Sequence, residues 1–221
     1  MEVDKKTYKA IVNLFKATWG MFSPNVVNVQ RIENVYLYGK YKLECQRLFR
    51  KAAVEGGIVP IKKTKGSSGS VVTKKHLHKS LSAHLYPEIN EHYFFHGTDV
   101  DNADVIVSQG FDCRLARGGR VGSGIYGAER SAKSNTYVDS NSNGESEMFL
   151  LRMCLGDVYV TKENVEYSRP PCKQCDREVC YNHTECYDSV IADGGDFVDR
   201  EFVVYDRNQC YPEYLITYHC N

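Results

Sequence analysis

The chain has no run approaching the roughly 20 consecutive apolar residues that a membrane-crossing helix needs. Its first residues, MEVDKKTYKA, are charged where an export signal would be apolar. A soluble intracellular protein, cytoplasmic or nuclear and without a membrane partner, is expected. No internal repeat is present, and no charge of one sign predominates: 28 Lys and Arg face 28 Asp and Glu. With 42% apolar and 25% charged residues in 221 positions, a disordered or fibrous chain is excluded in favour of one large domain or two small ones.

The charge is nevertheless unevenly placed. Residues 1–90 hold 16 basic and 6 acidic side chains, residues 91–221 hold 12 and 22. Much of the positive charge lies in KKTKGSSGSVVTKKHLHK, between Lys62 and Lys79, where Gly66 to Ser70 read as part of a flexible loop over 62–75. Two readings stay open there, a solvated lysine loop and an attraction to nucleic acid or an acidic partner, although no aromatic residue interleaves the run to stack on bases.

Apolar residues Tyr8, Ile11, Val12, Phe15 and Trp19 recur at helical spacing and stop at Gly20, which predicts an amphipathic helix. Asn25 to Ile32 is valine-rich and predicts a strand; Tyr38, Tyr41, Cys45, Leu48, Phe49 and Ala52 predict a second helix ending at Gly56-Gly57. Beyond Tyr93 the texture changes to short strands (Tyr93 to His96, Met148 to Leu155, Glu201 to Asp206, Tyr214 to Tyr218) with brief helices near Ala103 to Gln109 and Ser131 to Tyr137. That order is α+β, not alternating βαβ units.

Three segments of the second half carry polar groups suited to chemistry: HYFFHGT around His96, Gly97 and Thr98; GFDCRLARGGRVGSGIYGAERSAKSNTYV with Tyr126, Ser134 and Tyr137; and REFVVYDRNQCYPEYLITY, opened by Glu201. Gly122-Ser123-Gly124 is not a dinucleotide fingerprint, because the third glycine, the following acidic residue and the βαβ setting are missing. Together the three segments resemble the catalytic domain of the poly(ADP-ribose) polymerase family, with tankyrase-like and mono-ADP-ribosylating members nearest in wording. VVNVQRIENVYLYGKYKLECQRL extends the resemblance back to residue 25.

The resemblance implies an ADP-ribosyltransferase fold: two packed, mostly antiparallel sheets forming an NAD cleft, with N-terminal helices braced outside. It makes residues 1–221 one catalytic domain, with 1–90 a basic helical part and 91–221 the NAD-binding core. It implies transfer of ADP-ribose from NAD, as substrate, to acceptor proteins, the chain itself among the candidates, with release of nicotinamide. Cleaving that bond develops an oxocarbenium-like ribose, so the site must hold the leaving amide, grip the riboses and place negative charge near the cation. By resemblance Gly97 and Ser134 hold the carboxamide, Tyr137 and Tyr126 face the pyridinium ring, and His96 bonds the adenosine ribose with Thr98 beside it. Glu201 stabilises the reacting carbon and orients the acceptor, so the catalytic set is Glu201, His96 and Tyr126. Family members that add single units often have an apolar residue at the Glu position, so Glu201, with Lys133 beside Ser134, leaves single-unit and chain-forming transfer both open. Arg114, Arg117 and Arg120, in the loop from Asp112 to Val121, either meet the pyrophosphate or face solvent, with Arg117 counted among the NAD-binding residues. Two departures from the family stand out: Gly127 follows Tyr126 where Phe is usual, and Arg120-Val121 replaces a large apolar pair.

Nine cysteines, an odd number, do not make a full disulfide framework. Five are scattered: Cys45, Cys113, Cys154, Cys210 and Cys220. Four cluster as Cys172-x2-Cys175-x4-Cys180-x5-Cys186, with His183 inside the run as an alternative ligand. That spacing approximates a zinc knuckle, and disulfides after oxidation or free thiols are the competing readings. Lying between the Met148 strand and Glu201, the cluster is expected to influence acceptor choice. Two rivals to protein ADP-ribosylation are a catalytically silent NAD or ADP-ribose binding module and a transferase acting on nucleic acid ends. Because 1–90 is too short for an autoinhibitory helical domain, activity without DNA is expected.

Overall fold

The structure is a computed structural model that describes residues 1–115 and 118–219. Helix α1 (Lys5–Trp19) begins at Asp4, whose carboxylate accepts from the amides of Lys6 and Thr7 at 2.8 and 3.0 Å. Strand β1 (Asn25–Arg31) follows, then α2 (Val35–Glu55), capped by the Asn34 side chain and closed by Gly56 in the left-handed region at φ 80°. Two short helices, α3 (Val72–His76) and α4 (Lys79–Ser82), precede β2 (Glu91–Gly97) and α5 (Val100–Gln109). The remaining elements are β3 (Ile125–Ala128), α6 (Ser131–Asn135), β4 (Glu145–Cys154), β5 (Val158–Thr161), β6 (Ser189–Ala192), β7 (Glu201–Val204) and β8 (Cys210–His219). No helix among the described residues is long and apolar enough to cross a membrane.

The mixed α+β class is the expected one. In place of two separate sheets, backbone pairing runs through a single eight-stranded sheet in the order β1-β8-β4-β2-β3-β7-β6-β5, antiparallel except for β5 with β6. Its two four-stranded halves meet through one residue pair, Phe95 with Ala128. Alternation along the strands explains why helices cover both faces. Tyr93 and Phe95 of β2 and Met148 and Leu150 of β4 pack with Ala10, Ile11, Leu14 and Phe15 of α1. Their neighbours Phe94, Phe149, Leu151 and Met153 point the other way, toward Ala103 and Ile106 of α5. α2 packs through Tyr41, Cys45 and Leu48 against Cys154 and Tyr211.

The segment 62–75 keeps its lysines exposed but is tied down by its backbone. Ser68 N–H donates to Asp193 at 2.7 Å, Val72 N–H donates to Glu129 at 2.6 Å, and the Arg200 guanidinium donates to the Gly69 and Ser70 carbonyls at 3.0 and 2.9 Å. Arg200 is itself buried against Glu129 (2.6 Å). The glycines that suggested flexibility take positive φ, 88° at Gly66 and 133° at Gly69, and so let the backbone turn its carbonyls toward Arg200, the residue that precedes Glu201.

Candidate active site

A cavity of about 1070 Å³ opens where the two sheet halves meet. His96, Gly97 and Thr98 line it from the end of β2, Tyr126 from β3, Ser134 and Tyr137 from the α6 region, and Glu201 from the start of β7. The structure thus brings every candidate of the three segments to one wall, apart from Arg117, which lies outside the described residues.

Each position has a local cause. Gly97 passes so close to α6 that a Cβ there would lie 2.0 Å from the Ser134 carbonyl oxygen, so only glycine permits the approach. α6 is in turn propped by α1: Ser131 Oγ donates to the Phe15 carbonyl at 2.7 Å, and Ser131 N–H donates to Thr18 Oγ1 at 3.3 Å. His96 sits edge-on to Phe111, 4.9 Å between ring centres, and Nδ1 lies 2.7 Å from the Tyr126 carbonyl. A carbonyl only accepts, so Nδ1 carries the proton and Nε2 keeps its lone pair. Burial lowers the His96 pKa below its ordinary 6.5, which keeps the ring neutral near pH 7.

The Tyr126 hydroxyl donates to the Gly122 carbonyl at 2.8 Å and accepts from the Val121 amide at 3.0 Å, so it fixes the turn before its own strand; burial pushes its pKa up. The family departure at Gly127 has a packing cause: a Cβ there would lie 2.6 Å from Met153 Sδ and 2.8 Å from Phe94 Cβ, so these side chains already fill the space. Glu201 is buried, and its Oε1 pairs with Lys133 Nζ at 2.9 Å. Burial pushes the Lys133 pKa down, but its bonds to Glu201 and to the Tyr137 hydroxyl outweigh that and leave it raised. Tyr137 is half exposed, an open aromatic face on the rim.

The arginines of the 112–121 loop divide. Arg114, on the cavity lining, is bound to Asp112 at 2.6 Å and holds that carboxyl down to about 2. Arg120 also reaches the lining but spends its guanidinium on Asn164 (2.9 Å) and the Asp196 carbonyl (2.7 Å), stacked over Phe197. Arg207, which sequence reasoning missed, also lines the cavity and donates to the Gln109 carbonyl. It follows β7 inside the segment opened by Glu201, where nothing in the local spacing singles it out.

A one-domain match to the model of the poly(ADP-ribose) polymerase catalytic domain covers residues 5–220. The chain belongs to that family. Its relatives include the protein mono-ADP-ribosyltransferase PARP11 of Homo sapiens, 29% identical over 96% of this chain and 56% of that protein. The protein mono-ADP-ribosyltransferase PARP12 of Mus musculus is 35% identical over 59% of this chain and 17% of that protein. PARP3 of Gallus gallus, also a mono-ADP-ribosyltransferase by name, is 27% identical over 64% of this chain and 31% of that protein. The chain therefore spans little more than half the length of these relatives at most.

The cysteine cluster forms a second assembly, away from the cavity lining. Cys172, Cys175, Cys180 and His183 have ligand atoms all within 4.8 Å of one another, a group that can hold a metal ion. The fourth corner is His183 rather than Cys186. Cys186 instead pairs through its backbone with Cys172, on the facing chain of the same loop, while His183 Nδ1 lies 3.5 Å from Cys172 Sγ and 3.3 Å from Cys180 Sγ. Spacing alone does not say which side chain turns inward. The Asn182 amide holds the Cys180 thiol down to about 6. All eight described cysteines are free thiols.

Proposed function

We propose that this chain transfers ADP-ribose from NAD to protein side chains, with release of nicotinamide. The observation that carries this is the convergence of His96, Tyr126 and Glu201, from three different strands, on one cavity with Gly97 and Ser134. NAD is read into that cavity with its carboxamide on the Gly97 backbone and the Ser134 hydroxyl, which together match one acceptor and two donors. Tyr137 stacks on the pyridinium ring, gaining buried area and a cation–π contribution. Neutral His96 offers Nε2 as acceptor to a hydroxyl of the adenosine ribose and acts by positioning. Thr98 stands beside it.

Glu201 is the group assigned to the reacting carbon. Lys133 holds Oε1 and so turns the carboxylate; Oε2 accepts from the ribose 2′-hydroxyl and faces the developing cation. The carbon–nitrogen bond breaks with its electron pair leaving on nicotinamide, the acceptor oxygen, nitrogen or sulfur forms the new bond, and its proton passes to Glu201 or solvent. The names of the relatives favour single-unit transfer, while Glu201 is compatible with chain growth. The Cys172, Cys175, Cys180 and His183 group is read as a structural zinc site outside this chemistry.

The test is incorporation of label from biotinylated NAD, wild type against Glu201→Gln, on a denaturing gel. The expected result is discrete protein bands that fall by about 10²- to 10³-fold in the variant. A high-mass smear gives polymer, label on added RNA or DNA gives the nucleic-acid rival, and NAD binding without label gives the silent module.

A further inference from the structure

We infer that the segment between β5 and β6 is a metal-closed strut that props the turn in front of Tyr126, so that a zinc ion remote from the cavity sets the affinity for NAD. This rests on reading the cavity as an NAD site.

The donor set comes from two adjacent turns. Cys172 to Arg177 closes on itself through Asp176 N–H to the Cys172 carbonyl (2.9 Å) and Cys172 N–H to the Arg177 carbonyl (2.9 Å), with Asp176 at φ 55°. Gln174 N–H points at Cys172 Sγ from 3.4 Å. Cys180 and His183 supply the other two donors, and the distances of 3.5 and 3.3 Å from His183 Nδ1 to two of the sulfurs fit a tetrahedral ion. With Zn–S near 2.3 Å and Zn–N near 2.1 Å, that edge is about 3.6 Å. Three thiolates and an imidazole favour zinc over harder cations. Residues 163–188 contain no helix or strand beyond the isolated backbone bridge of Cys172 with Cys186, which closes the base of the loop and leaves the turns carrying Cys175, Cys180 and His183 for a metal to join.

The strut has a fixed base and a working end. At the base Lys173 bridges Glu55 of α2 and Asp157, both at 2.6 Å. Inside it, Ser168 N–H donates to Glu178 at 2.6 Å, which ties the metal turns to the neighbouring Tyr167. At the working end the Tyr167 carbonyl accepts from Ser123 N–H at 2.9 Å, and Val165 N–H donates to the Arg120 carbonyl at 2.9 Å. The fit is tight: a Cβ on Gly122 would lie 1.8 Å from the Tyr167 carbonyl oxygen. Gly122 is the residue whose carbonyl holds the Tyr126 hydroxyl. The contacts thus run toward the wall carrying Tyr126, not toward acceptor choice as position in the sequence suggested.

The experiment uses the whole chain purified anaerobically with reductant. One zinc per chain by mass spectrometry is expected. Stripping it with a chelator should speed amide exchange at residues 119–124 and weaken NAD binding, read by calorimetry, on the order of fivefold or more; re-adding zinc should restore both. By linkage, NAD should strengthen zinc retention against a chromophoric chelator by the same factor. Cys180→Ser should behave as the stripped protein, and His183→Cys, a four-thiolate set, should keep zinc and wild-type NAD affinity, which separates metal loss from misfolding. Absence of zinc from the anaerobic protein, or zinc removal that leaves exchange at 119–124 and NAD affinity unchanged, would overturn the strut. Zinc-dependent exchange at 119–124 in a chain that binds no NAD would support the strut and instead sink the proposed function.

Discussion

The two halves of the sheet are built by different means. The half made of β1, β8, β4 and β2 has strands of seven to ten residues, and β4 faces partners on both sides: seven paired positions with β2 and nine with β8. The half made of β3, β7, β6 and β5 has four strands of four residues each. Long ladders carry the first half, because each added pair buries more apolar surface, and its central strands also enclose a buried ion pair of Arg152 with Glu91 at 2.9 Å. The short half has fewer ladder pairs, and more of its fastening falls to side chains and loops: Arg200 with Glu129, Tyr126 with its own turn, Tyr167 against Gly122. His96 and Gly97 belong to the first half, Tyr126 and Glu201 to the second. The cavity wall is therefore assembled across a seam between a long-stranded half and a tethered one.

Four measurements test that contrast. The largest expected effect is at the seam. Gly97→Ala drives a Cβ into the Ser134 carbonyl, so NAD binding should be lost below detection by calorimetry while the long half of the sheet stays folded by circular dichroism; retained NAD affinity would show that the two sides of the seam move independently. Next comes the tether. Glu129→Gln leaves the Arg200 charge buried with Asp193 3.6 Å away, and a loss of roughly 3–5 kcal/mol in denaturant unfolding is expected; a loss under about 1 kcal/mol would mean that the short half stands on its own packing.

Third, pH should act through buried His92, whose pKa burial, with Lys74 and Arg200 adding to it, lowers from 6.5 to about 4. A group depressed in the folded state binds its proton more readily unfolded, so stability is full above pH 6.5 and falls as pH drops toward 4, by up to about 3 kcal/mol. His92→Gln should flatten that part of the melting profile. The smallest effect is kinetic in nature: amides of β4 and β8 should exchange only through global unfolding, those of β3 and β7 through cheaper partial opening. Equal protection in both halves would remove the distinction.

Legibility followed the same division. α1 showed in its 3.6-residue apolar period and its closing Gly20, and β2, β4, β7 and β8 in apolar runs, although β4 begins three residues and β8 four residues before the run that announced it. β3, β5 and β6 did not register, because four residues are too few for a period to be counted and Ile125 to Ala128 was read only as a motif; β7, just as short, showed only because an apolar run follows Glu201. At the site the His, Gly, Tyr, Ser and Glu positions of the three segments were found; Arg207 and the Glu129–Arg200 pair, although inside those segments, were not singled out, since partners 71 positions apart leave no mark on local spacing. The cysteine run was visible as a group able to hold a metal, but the grouping of His183 rather than Cys186 with the three other cysteines depended on which way each side chain turned.

The order of chemical groups along the chain was determined by the sequence itself: a His-Gly strand end, a Gly-x-Gly-x-Tyr turn, a Ser helix and a Glu-led strand, each readable because it is contiguous. Folding in three dimensions brings β2 and β3 together at a single pair, sets Lys133 on Glu201, and places Tyr167 of a distant loop against the turn before Tyr126. These depend on contacts between residues far apart in the chain, whose formation balances the entropy of closing long loops against the surface buried when they close.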